Sequence, residues 1–242
     1  MKNVRALTRL DSVAGRRKWL ALAAVLVLAG CSNAHNWKPG YPPMYKTLPD
    51  RVEINAVPSF RGKDYQSAPF ALASMLTVHG VQTTPGLLEK PLKLPGAEDR
   101  LDRSMLDLAR EYGFVVYPVD HGLPDLLAQV SAGYPVLVRF SDGSLMWKEQ
   151  RYGVLVGFDQ NKRTVLIYTG PGRVTTSFDS FTSDWNDAGN WAVLIQGPRQ
   201  VPVPVDRERW LKAANDLAQA GQEQAAGEAV KALNNPASRS EK

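Results

Sequence analysis

Ser67 offers a hydroxyl at the start of a helix. The stretch from Asp64 to Gly80 reads as a turn feeding a buried helix: Pro69 suits the first helical position, Ser67 and Ala68 sit at the boundary, and Gly80 suits the C-terminal stop. Phe70, Leu72, Ala73, Met75, Leu76 and Val78 make this helix apolar nearly all round, as expected of a helix enclosed by other elements. A hydroxyl is thereby aimed at the positive end of a central helix. A helix terminus alone does not turn an alcohol into a useful nucleophile; a neighbouring base is needed. The histidines offer little: His79 ends the same helix, His121 lies in a loop before a later helix, and His35 lies in an N-terminal segment without periodicity. His79 and His121 read as satisfied structural histidines. No carboxylate sits with them at a ligand-like spacing, which argues against zinc or another metal. Gly170-Pro171-Gly172 is a turn rather than a phosphate loop, because the following Lys and helix are missing, and no cofactor is expected.

The other reactive residue is Cys31, the only cysteine. Residues 1–30 read as a secretory signal: a basic region with Arg5, Arg9, Arg16, Arg17 and Lys18, then an apolar run from Trp19 to Ala29 too short to span a bilayer comfortably. Leu28-Ala29-Gly30-Cys31 matches the bacterial lipobox, in which the cysteine thiol is acylated and becomes the new N-terminus. Resemblance to bacterial lipoproteins implies a chain held at the membrane by its lipid. With Ser32 after the cysteine, it also implies sorting to the outer membrane, facing the periplasm. Residues 1–30 carry a net charge of +5, equal to the formal +5 of all 242 residues, so the mature chain is neutral. That removes the clustered basic footprint a nucleic-acid-binding protein would want. With Cys31 lipidated, no thiol remains for a disulfide, a metal or catalysis.

A family resemblance gives Ser67 a context. Tyr65-Gln66-Ser67-Ala68-Pro69-Phe70-Ala71-Leu72-Ala73 resembles the Cys-Gly-Pro-Ala-Ala-Leu-Ala signature of C39-like peptidases, with serine for the cysteine and alanine for the glycine. Arg151-Tyr152-Gly153-Val154-Leu155-Val156-Gly157-Phe158-Asp159 resembles that family's His-Tyr-Ala-Val-Val-Val-Gly-Tyr-Asp block, with arginine for the histidine. Val57-Pro58 continues the likeness upstream, and the match covers residues 52–198. It implies a papain-like fold whose catalytic positions are lost. Such a peptidase needs a thiol of lowered pKa, an imidazole, a group that orients the imidazole and an oxyanion donor. The resemblance puts Ser67 at the thiol, Arg151 at the base, Thr169 near the orienting position, and Arg61 or Gly62 where the oxyanion glutamine belongs. Gln66, adjacent to Ser67, is badly placed to replace that glutamine. A guanidinium accepts no proton at physiological pH. Together these departures remove both nucleophile activation and transition-state stabilisation.

The elements that must position these residues follow from periodicity and punctuation. Residues 31–50 read as a tether and 51–198 as the peptidase-like domain, with the central helix first. A short helical turn at Thr84 to Leu88 follows, then helices at Asp102 to Tyr112 and Leu123 to Ala132, each stopped by a glycine. Strands are expected at Phe114 to Val119, Tyr134 to Phe140, Arg151 to Phe158, Arg163 to Tyr168, Val174 to Ser177 and Asn190 to Gln196, with a short helix at Phe178 to Trp185. Helices first and an antiparallel sheet afterwards is an α+β pattern, consistent with a central helix packed on an antiparallel sheet. Residues 199–205 are a Pro-alternating linker, and 206–233 a helical hairpin that resembles one tetratricopeptide-type unit through Trp210-Leu211, the small residues of its second helix, Gly221 and Pro236. One such repeat cannot bury a solenoid core, so the hairpin docks on its own domain or on a partner. Residues 234–242 form a polar tail.

These readings point first to a lipid-anchored periplasmic pseudopeptidase that binds a polypeptide client in its groove without cutting it, with Gln66, Ser67, Trp147, Arg151 and Tyr152 as groove residues. In that reading Arg151 is a candidate to pair with an acidic residue or the C-terminal carboxylate of a client. A second reading is a residual hydrolase using Ser67 with an unidentified base. A third is an envelope assembly or scaffold lipoprotein acting through the hairpin.

Overall fold

The computed structural model describes residues 46–60, 67–119, 122–144, 147–170 and 172–234, all within one unit spanning Tyr41–Lys242. The signal, Cys31, most of the tether, Gln66, Arg61, Gly62, His35, His121 and the tail after Asn234 lie outside the described residues. In chain order the elements are β1 (Arg51–Glu53), α1 (Ser67–Val78), α2 (Pro85–Glu89), a 3-10 turn (Glu98–Arg100), α3 (Leu101–Glu111), β2 (Val115–Pro118) and α4 (Leu123–Ser131). Then come β3 (Val136–Ser144), β4 (Trp147–Asp159), β5 (Thr164–Thr169), β6 (Gly172–Ser177), α5 (Phe178–Asp187), β7 (Ala192–Gln196), α6 (Arg207–Gln219) and α7 (Glu223–Asn234). The helices end where the glycines predict. Gly80 sits at φ 86° and completes a Schellman closure, its N–H on the Thr77 carbonyl and that of Val81 on the Leu76 carbonyl. At the other end α1 begins at Ser67 itself, so Pro69 is its third residue rather than its first; that is still within the first turn, where no N–H is missed.

All strand pairings are antiparallel, in the order β2-β7-β3-β4-β5-β6, with β1 added to β4. Helices cover both faces of the sheet, a fuller enclosure than a helix packed on one face. Leu137, Val154, Val156, Tyr168, Val193 and Ile195 meet α1, α2 and α3 on one side. Val136, Val138, Leu155, Val165, Ile167 and Leu194 meet α4 to α7 on the other. This double burial explains why β3, β4 and β7 read as continuous apolar runs rather than alternating ones. A bulge between Leu155 and Gly157 shifts the β4 register, so Phe158 returns to the side that Leu155 faces.

The C-terminal hairpin docks on its own domain. Trp210 is fully buried, donates its indole N–H to the Ala229 carbonyl at 2.9 Å, and joins Ala213, Ala214 and Leu217 in the same apolar cluster as Val115, Tyr117 and Leu127. The Asp206 amide donates to the Tyr117 hydroxyl at 3.0 Å, and the Arg209 guanidinium lies 5.6 Å from the Tyr117 ring centroid. Gln129 clamps the preceding segment through both groups of Val203, accepting from its N–H at 3.0 Å and donating to its carbonyl at 2.9 Å. The proline-alternating stretch is a fastened strap, not a free spacer.

Candidate functional site

Ser67 is buried at the first turn of α1, and its Oγ accepts a hydrogen bond from the Tyr152 backbone N–H at 3.2 Å. The serine thereby fastens the helix start to β4, immediately beside Arg151. Ser67, Arg151 and Thr169 line one cleft of about 230 Å³, floored by Phe140, Ile167 and Phe181. Strand alternation brings Arg151 there: it pairs with Phe140 across the β3–β4 ladder and points to the face carrying Leu155. Gly153 keeps the space open, since a Cβ on it would meet Ile167 Cγ2 at 2.7 Å and Phe140 Cε1 at 3.1 Å.

Among the described residues lining this cleft there is no imidazole. The Arg151 Nε lies 2.9 Å from Asp142 Oδ2, and its Nη2 donates to Glu149 Oε2 at 3.0 Å, with the arginine side chain 15% exposed. The guanidinium is spread across two carboxylates of the β3–β4 arms, so a client carboxylate at Arg151 would compete with pairs already made. Thr169 donates its hydroxyl to the Gly172 carbonyl at 3.3 Å. His79, the one histidine among the described residues, sits past the far end of α1, about 18 Å along the helix axis from Ser67. Its Nε2 donates to the Ile195 carbonyl at 2.7 Å and its ring lies against Phe114, a structural role as expected. Burial holds its pKa below the ordinary histidine value, opposed by that hydrogen bond.

Two groove residues are placed differently from expectation. Tyr152 lends the site only its backbone N–H. Its side chain crosses to the other face of the sheet, donates to Asp102 Oδ1 at 2.6 Å and meets Trp191 edge-on, because adjacent strand residues must point to opposite sides. Burial, with the Asp102 carboxylate beside it, raises the phenol pKa well above its usual value. Asp102 also accepts from Arg139, which donates to the Ala188 carbonyl as well, so α3, β3, β4 and the end of α5 are tied by one network. Trp147 is 80% exposed at the start of β4 and is not part of the cleft lining.

The cleft also contains residues that pattern reading passed over. Asp142 lies on a β3 arm too polar to read as a strand, and Asp184 arrives from α5. Burial pushes the Asp184 carboxyl up; Lys148 opposes that, while Asp187 and Asp142 add to it. Among the described residues no group of histidines, cysteines and carboxylates is arranged to hold a metal ion.

No family model and no curated protein matches the sequence. Solved structures do. A protein assigned as a C39-like peptidase from Bacillus anthracis aligns at 14% identity and TM-score 0.48, over 61% of this chain and 98% of that one. The peptidase domain of Streptococcus ComA, a bifunctional ABC transporter of a quorum-sensing pathway, aligns at 18% identity and TM-score 0.43, over 57% and 96%. Xylellain, a cysteine protease from Xylella fastidiosa, aligns at 14% identity and TM-score 0.45, over 65% and 90%. All three are 18% identical or less to this chain, each with a TM-score below 0.5.

Proposed function

We propose that this chain is a catalytically silent C39-like domain that holds a polypeptide in its cleft without cutting it, tethered to the outer membrane in the periplasm through a lipid on Cys31. The observation that carries the reading is Arg151. By the C39 resemblance it stands at the base position; it is engaged by Asp142 and Glu149 and shares one cleft with Ser67, whose hydroxyl is engaged by the Tyr152 amide. Among the described residues no imidazole or carboxylate is hydrogen-bonded to the Ser67 hydroxyl, while the cleft keeps an apolar floor and a volume suited to side chains of an extended segment.

The test is site-specific photocrosslinking in cells. A photoreactive residue at Thr176, which lines the cleft, is expected to capture a polypeptide, while one at Val230, exposed on α7, is not. Capture at Val230 alone would favour an assembly role for the hairpin. Covalent labelling of Ser67 by a serine-directed fluorophosphonate would favour a hydrolase. Cys31→Ala is expected to release the chain from the membrane fraction.

A further inference from the structure

The cleft borders an edge of the sheet. β6 is the last strand of the order and pairs with β5 alone; among the described residues nothing pairs with its outer edge. At the other end of the order β2 pairs with β7 alone, and its last carbonyl, on Pro118, accepts from Arg209 of the hairpin. Alternation along β6 puts Val174 and Thr176 on the cleft and Arg173 and Thr175 on the opposite face. Val174 is 40% exposed, an apolar side chain left uncovered at the cleft mouth. An unpaired edge beside an apolar cleft is the arrangement that accepts an added strand, with main-chain hydrogen bonds supplying affinity and alternate side chains entering the cleft.

Charge selects what that strand carries. Around the cleft stand the carboxylates of Asp142, Glu149, Asp184 and Asp187 against the cations of Arg151 and Lys148. Arg151 is shared by Asp142 and Glu149, and Lys148 is paired with Asp187. Asp184 is the carboxylate least engaged: it lines the cleft, is half-buried and, among the described residues, receives no hydrogen bond or ion pair, with Lys148, already paired with Asp187, acting on it only at longer range. Resting on the pseudopeptidase reading, we infer that the polypeptide held here is an extended segment carrying lysine or arginine, added as a strand at the outer edge of β6 with its cation at Asp184. An anionic surface or an acidic segment would meet an excess of like charge.

Fluorescence anisotropy on the detergent-solubilised full chain tests this with short labelled peptides of alternating lysine and valine, their glutamate and valine counterparts, and lysine peptides N-methylated at either the valine or the lysine amides. The lysine peptide is expected to bind at least tenfold more tightly than the glutamate peptide, and to lose about tenfold in Asp184→Asn. One of the two N-methylated sets should lose as much, because it blocks the peptide edge that faces β6. Equal binding of the two charge types, indifference to Asp184→Asn, or indifference to both N-methylations overturns the inference. If these peptides fail while photocrosslinking at Thr176 still captures a polypeptide, the cationic-strand assignment falls alone. If capture fails too, the pseudopeptidase reading falls with it.

Discussion

The hydroxyl of Ser67 accepts the backbone N–H of Tyr152 at 3.2 Å, joining the residue at the thiol position of the C39 resemblance to the neighbour of the residue at its base position. A side chain that would be a nucleophile is here a fastener between α1 and β4. Ser67→Ala leaves that buried amide unpaired and is expected to cost about 1 to 2 kcal/mol of stability in urea titration. No peptide hydrolysis should be lost, because none is expected in the wild type. Hydrolysis that disappears in Ser67→Ala would reverse the assignment.

Trp210 fixes the status of the hairpin. Its full burial in the cluster that includes Val115, Tyr117 and Leu127 makes the C-terminal helices part of the domain core. Trp210→Ala is expected to destabilise the whole domain by about 3 to 5 kcal/mol. Calorimetry should show one cooperative transition moved down, not a separate early unfolding of the hairpin. For the same reason truncation at Asp206 should uncover Tyr117 and the α4 face and cause aggregation, which makes it a poor test of partner capture.

Glycine content in β4 marks a second constraint. A Cβ at Gly157 would lie 2.6 Å from the Val52 carbonyl oxygen and 3.2 Å from Glu53 Cα, since β1 pairs with β4 here and Glu53 stands opposite Gly157. Backbone cannot yield as a flexible side chain can, so Gly157→Ala is expected to cost about 1 to 3 kcal/mol and to detach β1. Hydrogen exchange should then quicken at Ile54, whose N–H is held by the Val156 carbonyl.

The helices were legible in the sequence because local signals state them twice, by period and by stop: Gly80, Gly113, Gly133 and Gly221 all take positive φ just past helix ends. The sheet order was not legible. Nothing local says that β7 inserts between β2 and β3, and β1 has only three residues, too few for any alternation. The outer β3–β4 ladder escaped reading for another reason: Ser141, Asp142 and Gly143 pair with Lys148, Glu149 and Gln150, and a ribbon polar on both faces carries no hydrophobic period. That miss had consequences for the site. It hid Asp142 and Glu149, and with them the pairing of Arg151. Asp184 was beyond reach because only the packing of α5 on the sheet brings it to the cleft.

His79 supplies a pH signature. Burial lowers its folded-state pKa below the unfolded value, with the Ile195 carbonyl opposing in part. Between the two values the unfolded chain binds more protons than the folded one, so stability rises with pH across that interval. The contribution is therefore fully present above the unfolded value of about 6.5 and is lost as pH falls below it toward the folded value. His79→Gln keeps an amide donor for Ile195 but cannot titrate. Comparing the two proteins by urea unfolding from neutral pH down to mildly acidic pH, the wild type should lose more stability on acidification than His79→Gln. Parallel pH profiles would show that His79 is as easily protonated in the fold as in the unfolded chain, and that its burial against Phe114 carries no electrostatic cost.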